Sequence, residues 1–173
     1  MYKRQALNIQ MEESPKILHI ATHSFYIGDN KDDNLFSENI FSNSITNNKR
    51  IENPLLRSGI VLAGANYPDK NLKDDGYLTA LEVSKLNWNG TELVVVSGCE
   101  SGQGDLQSGE GVYGLKRAIA VAGARSSLLS LWEVDDKATA EFMESFYLKI
   151  KSGESRSKAL SNTQKEFREH PIK

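Results

Sequence analysis

The amino-acid sequence predicts an α/β fold with a mainly parallel β-sheet flanked by helices. Short, nearly continuous apolar segments, typical of strands buried on both faces, alternate along the chain with segments of helical periodicity. Parallel strands need a crossover between them, and a helix is the usual one, so the alternation indicates a parallel sheet. The chain of 173 residues is long enough for one domain with an ordinary core.

Composition excludes several classes of protein. Hydrophobic residues make up 39% and charged residues 25% of the chain, and the formal net charge is −2. This chain is too apolar to be wholly disordered, and it lacks the basic character of a nucleic-acid-binding domain. It contains no apolar run of about 18 residues and no secretory signal at its N-terminus. Its single cysteine, Cys99, cannot form an intrachain disulfide. We therefore expect a cytoplasmic protein that binds neither nucleic acid nor membrane.

Four segments are predicted to be strands. The segment ELVVVSG at residues 92–98 contains three consecutive valines and ends at a glycine. Similar apolar runs occupy residues 16–22 (KILHIAT), 59–64 (GIVLAG) and 126–132 (SSLLSLW). Short, nearly continuous apolar runs of this kind are typical of strands buried on both faces.

Four segments are predicted to be helices, and the first two lie in the middle of the chain. Residues 79–86 begin with Thr79, and Glu82 three residues later completes a capping box. The second helix is predicted over residues 111–122, because four apolar residues share one of its faces: Val112, Leu115, Ile119 and Ala122.

The other two predicted helices lie near the C-terminus. Asp135 and Asp136 begin a helix over residues 135–151, with acidic residues at its positive end and lysines at its negative end. Gly153 ends this helix. The last helix is predicted over residues 155–169.

Two segments are predicted to be loops. Residues 27–57 are rich in Asn, Asp and Ser, and so long a stretch without structure is either a mobile functional loop or a partly disordered insertion. Residues 99–111 are rich in glycine, and the pattern Gly-x-Gly-x-x-Gly at 109–114 fits a dinucleotide-binding motif. That motif requires a tight strand-to-helix turn, whereas ten residues separate it from the strand at 92–98. We therefore predict no nucleotide cofactor.

Reactive side chains follow two of the predicted strands. His23 comes after strand 16–22, and Cys99 comes after strand 92–98. Open parallel sheets carry their chemistry at the C-terminal ends of the strands, where an imidazole can take the proton of a neighbouring thiol. Small residues beside Cys99 leave room for a substrate backbone and for N–H donors to an oxyanion. The alternative for each residue is a purely structural role.

His19 and His23 are spaced as a possible pair of metal ligands, with Cys99 as a conceivable third. His19, however, lies in the middle of an apolar strand, where a hydrogen-bonded core histidine is the more common occurrence. The sequence therefore predicts no metal site.

Eight ordered blocks between residues 16 and 171 carry a family resemblance. They are ILHIATHSF (17–25), LLRSGIVLAGAN (55–66), DGYLTALEVSKL (75–86), ELVVVSGCESGQG (92–104), GEGVYGLKRAIAVAGARS (109–126), LSLWEVDDKAT (129–139), FMESFYLKI (142–150) and KALSNTQKEFREHP (158–171). In these blocks the sequence resembles the CHAT domain, a caspase-like cysteine peptidase module related to caspases and separase. The match is specific because the blocks occur together and in order.

The resemblance implies a caspase-like three-layer fold. The segments 16–22, 92–98 and 126–132 would be its main core strands, and 59–64 would belong to a smaller accessory element. CHAT domains usually begin earlier and end later than this sequence does. We therefore expect residues 1–173 to form one partial CHAT domain, apparently truncated at both ends, with exposed sheet edges.

The resemblance also implies the roles of three residues. Cys99 matches the nucleophile of the family and His23 its catalytic histidine, acting without a metal or cofactor. The backbone N–H groups of Ser24 and Cys99 would form the oxyanion hole. The family usually has glycine at the position of Ser24, so a positive φ there would cost energy in this chain. It usually has alanine at the position of Gly98, which we expect to be a mild change.

Specificity is predicted from the segment LWEVDD. Separase has an acidic residue in a similar stretch and cleaves after arginine, and Asp136 matches that position. Asp136 would then bind a basic P1 residue of a substrate. Asp135 and Asp136 are, however, also favourable residues at the start of a helix.

The function implied by the resemblance is that of a cysteine endopeptidase in bacterial regulated proteolysis. Its substrate would be a protein or peptide, and a regulatory partner or a missing N-terminal repeat or sensor segment would control it. The alternative is a catalytically silent, truncated CHAT fragment that acts as a protein-interaction module.

Overall fold

The structure is a computed structural model that describes residues 14–27, 53–62, 65, 76–98, 104–107, 111–131 and 135–170. These residues belong to two compact units, Met1–Glu133 and Val134–Lys173. The first unit contains strands β1 (Ile17–Ile20), β2 (Ser24–Tyr26), β3 (Ser58–Val61), β4 (Tyr77–Thr79), β5 (Leu93–Val96), β6 (Gly104–Gln107), β7 (Gly111–Gly114) and β8 (Ser127–Leu129), and helices α1 (Ala80–Val83) and α2 (Leu115–Val121). The second unit contains helices α3 (Asp136–Lys151) and α4 (Arg156–Glu169).

The central sheet of the first unit has the order β1-β5-β8, and both of its pairings are parallel. Its three strands lie within the segments predicted at 16–22, 92–98 and 126–132. All four residues of β5 are buried, as expected for the middle strand of a sheet. The predicted α/β fold with a parallel sheet and flanking helices is therefore confirmed.

One face of this sheet forms the main core. Val94 and Val96 of β5 point to this face, where Leu18 and Ile20 of β1 lie beside them. Helices α1 and α2 cover the face with buried residues that include Val83, Leu115, Ile119 and Ala122. The apolar face predicted for the second helix is thus in the core from Leu115 onward.

A second, antiparallel sheet has the order β2-β3-β4. Strand β3 corresponds to the strand predicted at 59–64, and it lies in this separate sheet as the resemblance implied. Strands β2 and β4 were not predicted. Each has three residues, which is too short for a recognisable alternation of polar and apolar side chains.

The two predicted helices of the first unit are shorter than expected. The capping box of Thr79 and Glu82 is present, but α1 ends at Val83 instead of residue 86. Helix α2 begins at Leu115 instead of residue 111, because residues 111–114 pair with β6 as the antiparallel strand β7. A backbone committed to a strand ladder is extended and cannot make the first helical hydrogen bonds.

Helices α3 and α4 follow the sequence prediction closely. The Asp135 carboxylate caps α3, and the Ser155 hydroxyl caps α4. Phe142 and Phe167 pack edge to face between the two helices, with ring centroids 5.2 Å apart. Within the described residues, no helix has the length and apolar character needed to cross a membrane.

The long polar loop predicted at 27–57 lies mostly outside the described residues. At its edges, Ile27 is buried, and Pro54–Leu56 forms one turn of 3₁₀ helix. The described segments before and after it belong to neighbouring strands, since the N–H of Ile27 donates to the carbonyl of Arg57 at 2.7 Å. The loop therefore begins and ends at the antiparallel sheet.

Candidate active site

The C-terminal end of the parallel sheet brings together the residues that follow β1 and β5. The N–H of Ser97 donates to the carbonyl of Ile20 at 3.2 Å, so the pairing of the two strands continues past their last ladder residues. Beyond this bond the first segment turns into β2, and the second reaches Gly98. The predicted meeting of the two strand ends therefore occurs in the structure.

His23 lies in the turn between β1 and β2, and its backbone is held by β3. The N–H of Val61 donates to the carbonyl of His23 at 2.8 Å. The Thr22 hydroxyl donates to the carbonyl of the same Val61 at 2.7 Å. These two bonds fix the turn, while His23 itself is exposed. An exposed imidazole on an anchored backbone can meet a substrate.

Gly98, the residue before Cys99, lies against the segment that contains His23. A Cβ atom at Gly98 would be 2.2 Å from the Thr22 carbonyl oxygen, 3.0 Å from Ser24 Oγ and 3.1 Å from Ser24 N. The backbone on either side of His23 therefore contacts Gly98 directly. Cys99 itself lies outside the described residues, and so does the position of its thiol.

The expectation that glycine before Cys99 is a mild change is wrong for this backbone. A Cβ atom at 2.2 Å from a backbone oxygen would overlap it by far more than a side-chain adjustment can relieve. Only glycine fits at position 98 in this arrangement. The expected backbone cost at Ser24 does not arise either, because Ser24 belongs to the extended strand β2.

The N–H of Ser24 is directed away from β3, and the Ser24 nitrogen lies close to Gly98. In the β2–β3 ladder the hydrogen bonds join His23 to Val61 and Ile27 to Arg57. Antiparallel ladders alternate, so Ser24, which lies opposite Ile60, presents its N–H and C=O away from β3. An oxyanion-hole donor must face the carbonyl oxygen of the substrate, so this direction is compatible with the role of Ser24, which stays a prediction.

Strand β8 contributes a group that the sequence analysis did not identify. The hydroxyl of Ser130, directly after β8, donates a hydrogen bond to the carbonyl of Gly98. Gly98 is thus contacted from β8 on one side and from the Thr22–Ser24 turn on the other. The sequence signal that could have identified this group is a serine at the end of the strand next to β5, the strand that Cys99 follows.

His19 is not the core histidine that the sequence predicts. Among the described residues, strand β1 is at one edge of the sheet, and its pleat turns Leu18 and Ile20 toward the core but leaves His19 exposed. The ring Nε2 of His19 is 3.0 Å from the hydroxyl of Ser97. Desolvation by the surrounding protein lowers the pKa of His19 below its ordinary value of 6.5.

His19 and His23 do not share a strand face, because β1 ends at Ile20. Within the described part of the chain, no group of three or more His, Cys, Asp or Glu residues could hold a metal ion.

Asp135 and Asp136 have different roles at the start of α3. The Asp135 Oδ1 accepts the N–H of Ala138 at 2.8 Å, so Asp135 is the helix cap. Asp136 is the first residue of the helix and is exposed. Asp136 lies in the first turn of α3, where a carboxylate is favourable, so the helix-start explanation holds for this residue and its pocket role stays a prediction. Asp136 belongs to the second compact unit.

Comparison with protein-family models gives a match to the CHAT domain over residues 3–173. A search of curated proteins finds none that matches the chain. The family match spans His23, Cys99 and both compact units, and it agrees with the parallel α/β sheet. The chain therefore belongs to the CHAT domain family.

Proposed function

We propose that this protein is a cysteine endopeptidase of the caspase-like CHAT type, with Cys99 as nucleophile and His23 as general base and acid. The contact between Gly98 and the Thr22–Ser24 turn carries the proposal, because it brings the residue before Cys99 against the backbone that holds His23. Membership of the CHAT family supports the same assignment.

The proposed reaction uses the Cys99 thiol and the exposed imidazole of His23. As the Sγ atom attacks the carbonyl carbon of the substrate, His23 takes the thiol proton. The N–H groups of Ser24 and Cys99 donate to the resulting oxyanion. His23 then gives its proton to the departing amine, which leaves a thioester on Cys99. Attack by water on the thioester releases the acid product and restores the thiol.

The proposed substrate is a protein or peptide with a basic P1 residue, which Asp136 would bind. Two observations support this assignment. Asp136 is exposed, and the cap of α3 is made by Asp135 instead. A carboxylate that the helix cap does not use is a suitable partner for a guanidinium or ammonium group.

A regulatory partner or an additional N-terminal segment is proposed to control the peptidase, as in related regulated proteolysis in bacteria. The exposed position of His23 supports control from outside the sheet, because a bound segment could cover or uncover it. Adding the candidate segment to the purified chain, in cis or in trans, would change the rate of Cys99 labelling if this proposal is correct.

Labelling with a peptide acyloxymethyl ketone that carries a basic P1 residue tests the catalytic proposal. Mass spectrometry of the labelled protein should place the adduct on Cys99. The adduct should be absent from Cys99→Ala and strongly reduced in His23→Ala. The matched control is His19→Gln, which replaces the neighbouring histidine outside the proposed site and should label like the wild type.

Each variant must first give the circular dichroism spectrum of the folded wild type. Equal labelling of folded wild type and folded His23→Ala would contradict the proposed role of His23. A folded wild type that forms no adduct at all would contradict the peptidase proposal and favour the silent interaction module.

The P1 preference is tested with paired peptides that differ only in arginine or leucine at P1. We expect Asp136→Asn to lower kcat/KM for the arginine peptide about tenfold, the typical value of one charge-assisted contact, and to leave the leucine peptide unchanged. Asp135→Asn is the matched control, because asparagine caps a helix as well as aspartate does. An equal loss for both peptides would contradict the pocket role.

A further inference from the structure

The carbonyl of Gly98, the residue before Cys99, is held from the side of β8. The hydroxyl of Ser130 donates to the Gly98 carbonyl, and Ser130 is half-buried at the end of that strand. Strand β8 and strand β1 pair with opposite edges of β5. Ser130 therefore approaches Gly98 from the edge of β5 that faces away from His23.

The direction of this carbonyl has a consequence for catalysis. In a planar trans peptide unit, the C=O and the N–H of the following residue point in opposite directions. A hydroxyl that holds the Gly98 carbonyl toward β8 favours an N–H directed toward the other edge of β5. The Thr22–Ser24 turn and the N–H of Ser24 lie on that side.

We propose that Ser130 is a positioning residue of the peptidase, which orients the oxyanion-hole peptide by holding the Gly98 carbonyl. This inference rests on the proposed function, since it concerns the N–H that follows Gly98. Ser130 does not touch the reacting atoms. It acts through the peptide unit, and its hydrogen bond removes the freedom of that unit to rotate when charge develops on the substrate.

A purely structural role is the competing explanation, and strand β8 supplies the control that separates the two. Ser126, at the other end of β8, donates from its hydroxyl to the carbonyl of Glu92 at 2.6 Å. Both serines flank β8 and bond a carbonyl that flanks β5. They differ in that only Ser130 bonds the peptide unit next to Cys99.

Peptide hydrolysis by Ser130→Ala, Ser130→Thr and Ser126→Ala tests the inference. We expect Ser130→Ala to lower kcat about tenfold with KM unchanged, because a misdirected oxyanion donor weakens only transition-state binding. Ser130→Thr keeps the hydroxyl and should restore most of kcat. Ser126→Ala should retain the wild-type kcat. A kcat for Ser130→Ala equal to that of wild type, or an equal loss in Ser126→Ala, would overturn the inference.

Alkylation of Cys99 by iodoacetamide separates positioning from general damage. Displacement of iodide by the thiolate forms no oxyanion, so the alkylation rate of Ser130→Ala should equal that of the wild type. A fall in alkylation rate as large as the fall in kcat would show damage to the thiol itself and would overturn the inference.

The amide resonance of Cys99 in ¹H–¹⁵N spectra decides the inference even if the wild type hydrolyses no peptide. That failure would count against the proposed function, whereas the orientation of the peptide can still be measured. The resonance should move in Ser130→Ala, return toward its original position in Ser130→Thr and stay unchanged in Ser126→Ala. An unmoved resonance in Ser130→Ala would overturn the positioning role.

Discussion

The two ends of strand β5 use glycine for different reasons. Before the strand, Gly90 has a φ of +95°, and a Cβ atom there would lie 3.6 Å from Ser14 Cβ, an ordinary contact. After the strand, a Cβ atom at Gly98 would lie 2.2 Å from the Thr22 carbonyl oxygen. Gly90 serves a turn, whereas Gly98 allows two backbone segments to touch. The difference indicates that the end near His23 is built by close backbone approach.

Replacement of these two glycines by alanine should give the largest and most informative difference. Gly98→Ala should lower the free energy of unfolding by about 3 kcal/mol, because the new methyl group overlaps backbone that cannot rotate away. Gly90→Ala should cost about 1 kcal/mol, the penalty for a left-handed conformation in a non-glycine residue.

Urea denaturation followed by circular dichroism measures both costs. A larger loss for Gly90→Ala than for Gly98→Ala would contradict the close approach at Gly98. The Gly98 variant should also lose Cys99 labelling if it is folded, since the turn that carries His23 must move.

The hydroxyl of Thr22 gives a smaller test of the same end of the sheet. Thr22→Val keeps the side-chain shape but removes the 2.7 Å bond to the Val61 carbonyl. We expect a loss of about 1 kcal/mol in the free energy of unfolding, together with slower Cys99 labelling, because the His23 turn is less well held.

Thr139→Val is the matched control for Thr22→Val. The Thr139 hydroxyl makes a bond of the same length, 2.7 Å, to the carbonyl of Asp135, but in an exposed position within α3. Its loss should cost less and leave labelling unchanged. Equal effects of the two substitutions on labelling would contradict the anchoring role of Thr22.

The smallest expected effect concerns pH and His19. Its lowered pKa means that the folded protein binds a proton at this site less readily than the unfolded chain, whose histidine titrates near 6.5. The unfolded state therefore gains protons first as the pH falls below about 6.5, and the free energy of unfolding decreases.

Urea denaturation of wild type and His19→Gln at one pH above about 6.5 and one pH below it isolates the contribution of His19 to the free energy of unfolding. The wild type should lose more stability on acidification than the variant, which cannot titrate at this position. Identical losses would show that His19 is not the source of the pH dependence.

The sequence was sufficient to predict the elements whose signals are local. The valine run of β5 and the starts of the last two helices near Asp135 and Ser155 are short-range patterns, and the structure reproduces them. Strand β7 was assigned to a helix, because its pairing partner and not its own sequence decides its conformation.

The candidate site likewise combines features that the sequence indicates with features that depend on packing between distant segments. The positions of His23 and of the residues before Cys99 follow from parallel strands ending at one edge, which a sequence can indicate. The contact of Gly98 with Thr22 and the bond from Ser130 depend on how segments far apart in sequence pack. The face on which His19 lies depends on the register and pleat of an edge strand, which four residues do not reveal.

The most direct test of the central claim is the pH dependence of Cys99 alkylation. Cys99 is the single cysteine of the chain, so the reaction with iodoacetamide reports on one thiol. If His23 stabilises the thiolate, wild-type and His19→Gln protein should react well below the ordinary thiol pKa of about 8.5, and His23→Ala should return to that value. Identical pH profiles for folded wild type and His23→Ala would contradict the claim that His23 and Cys99 form a catalytic pair.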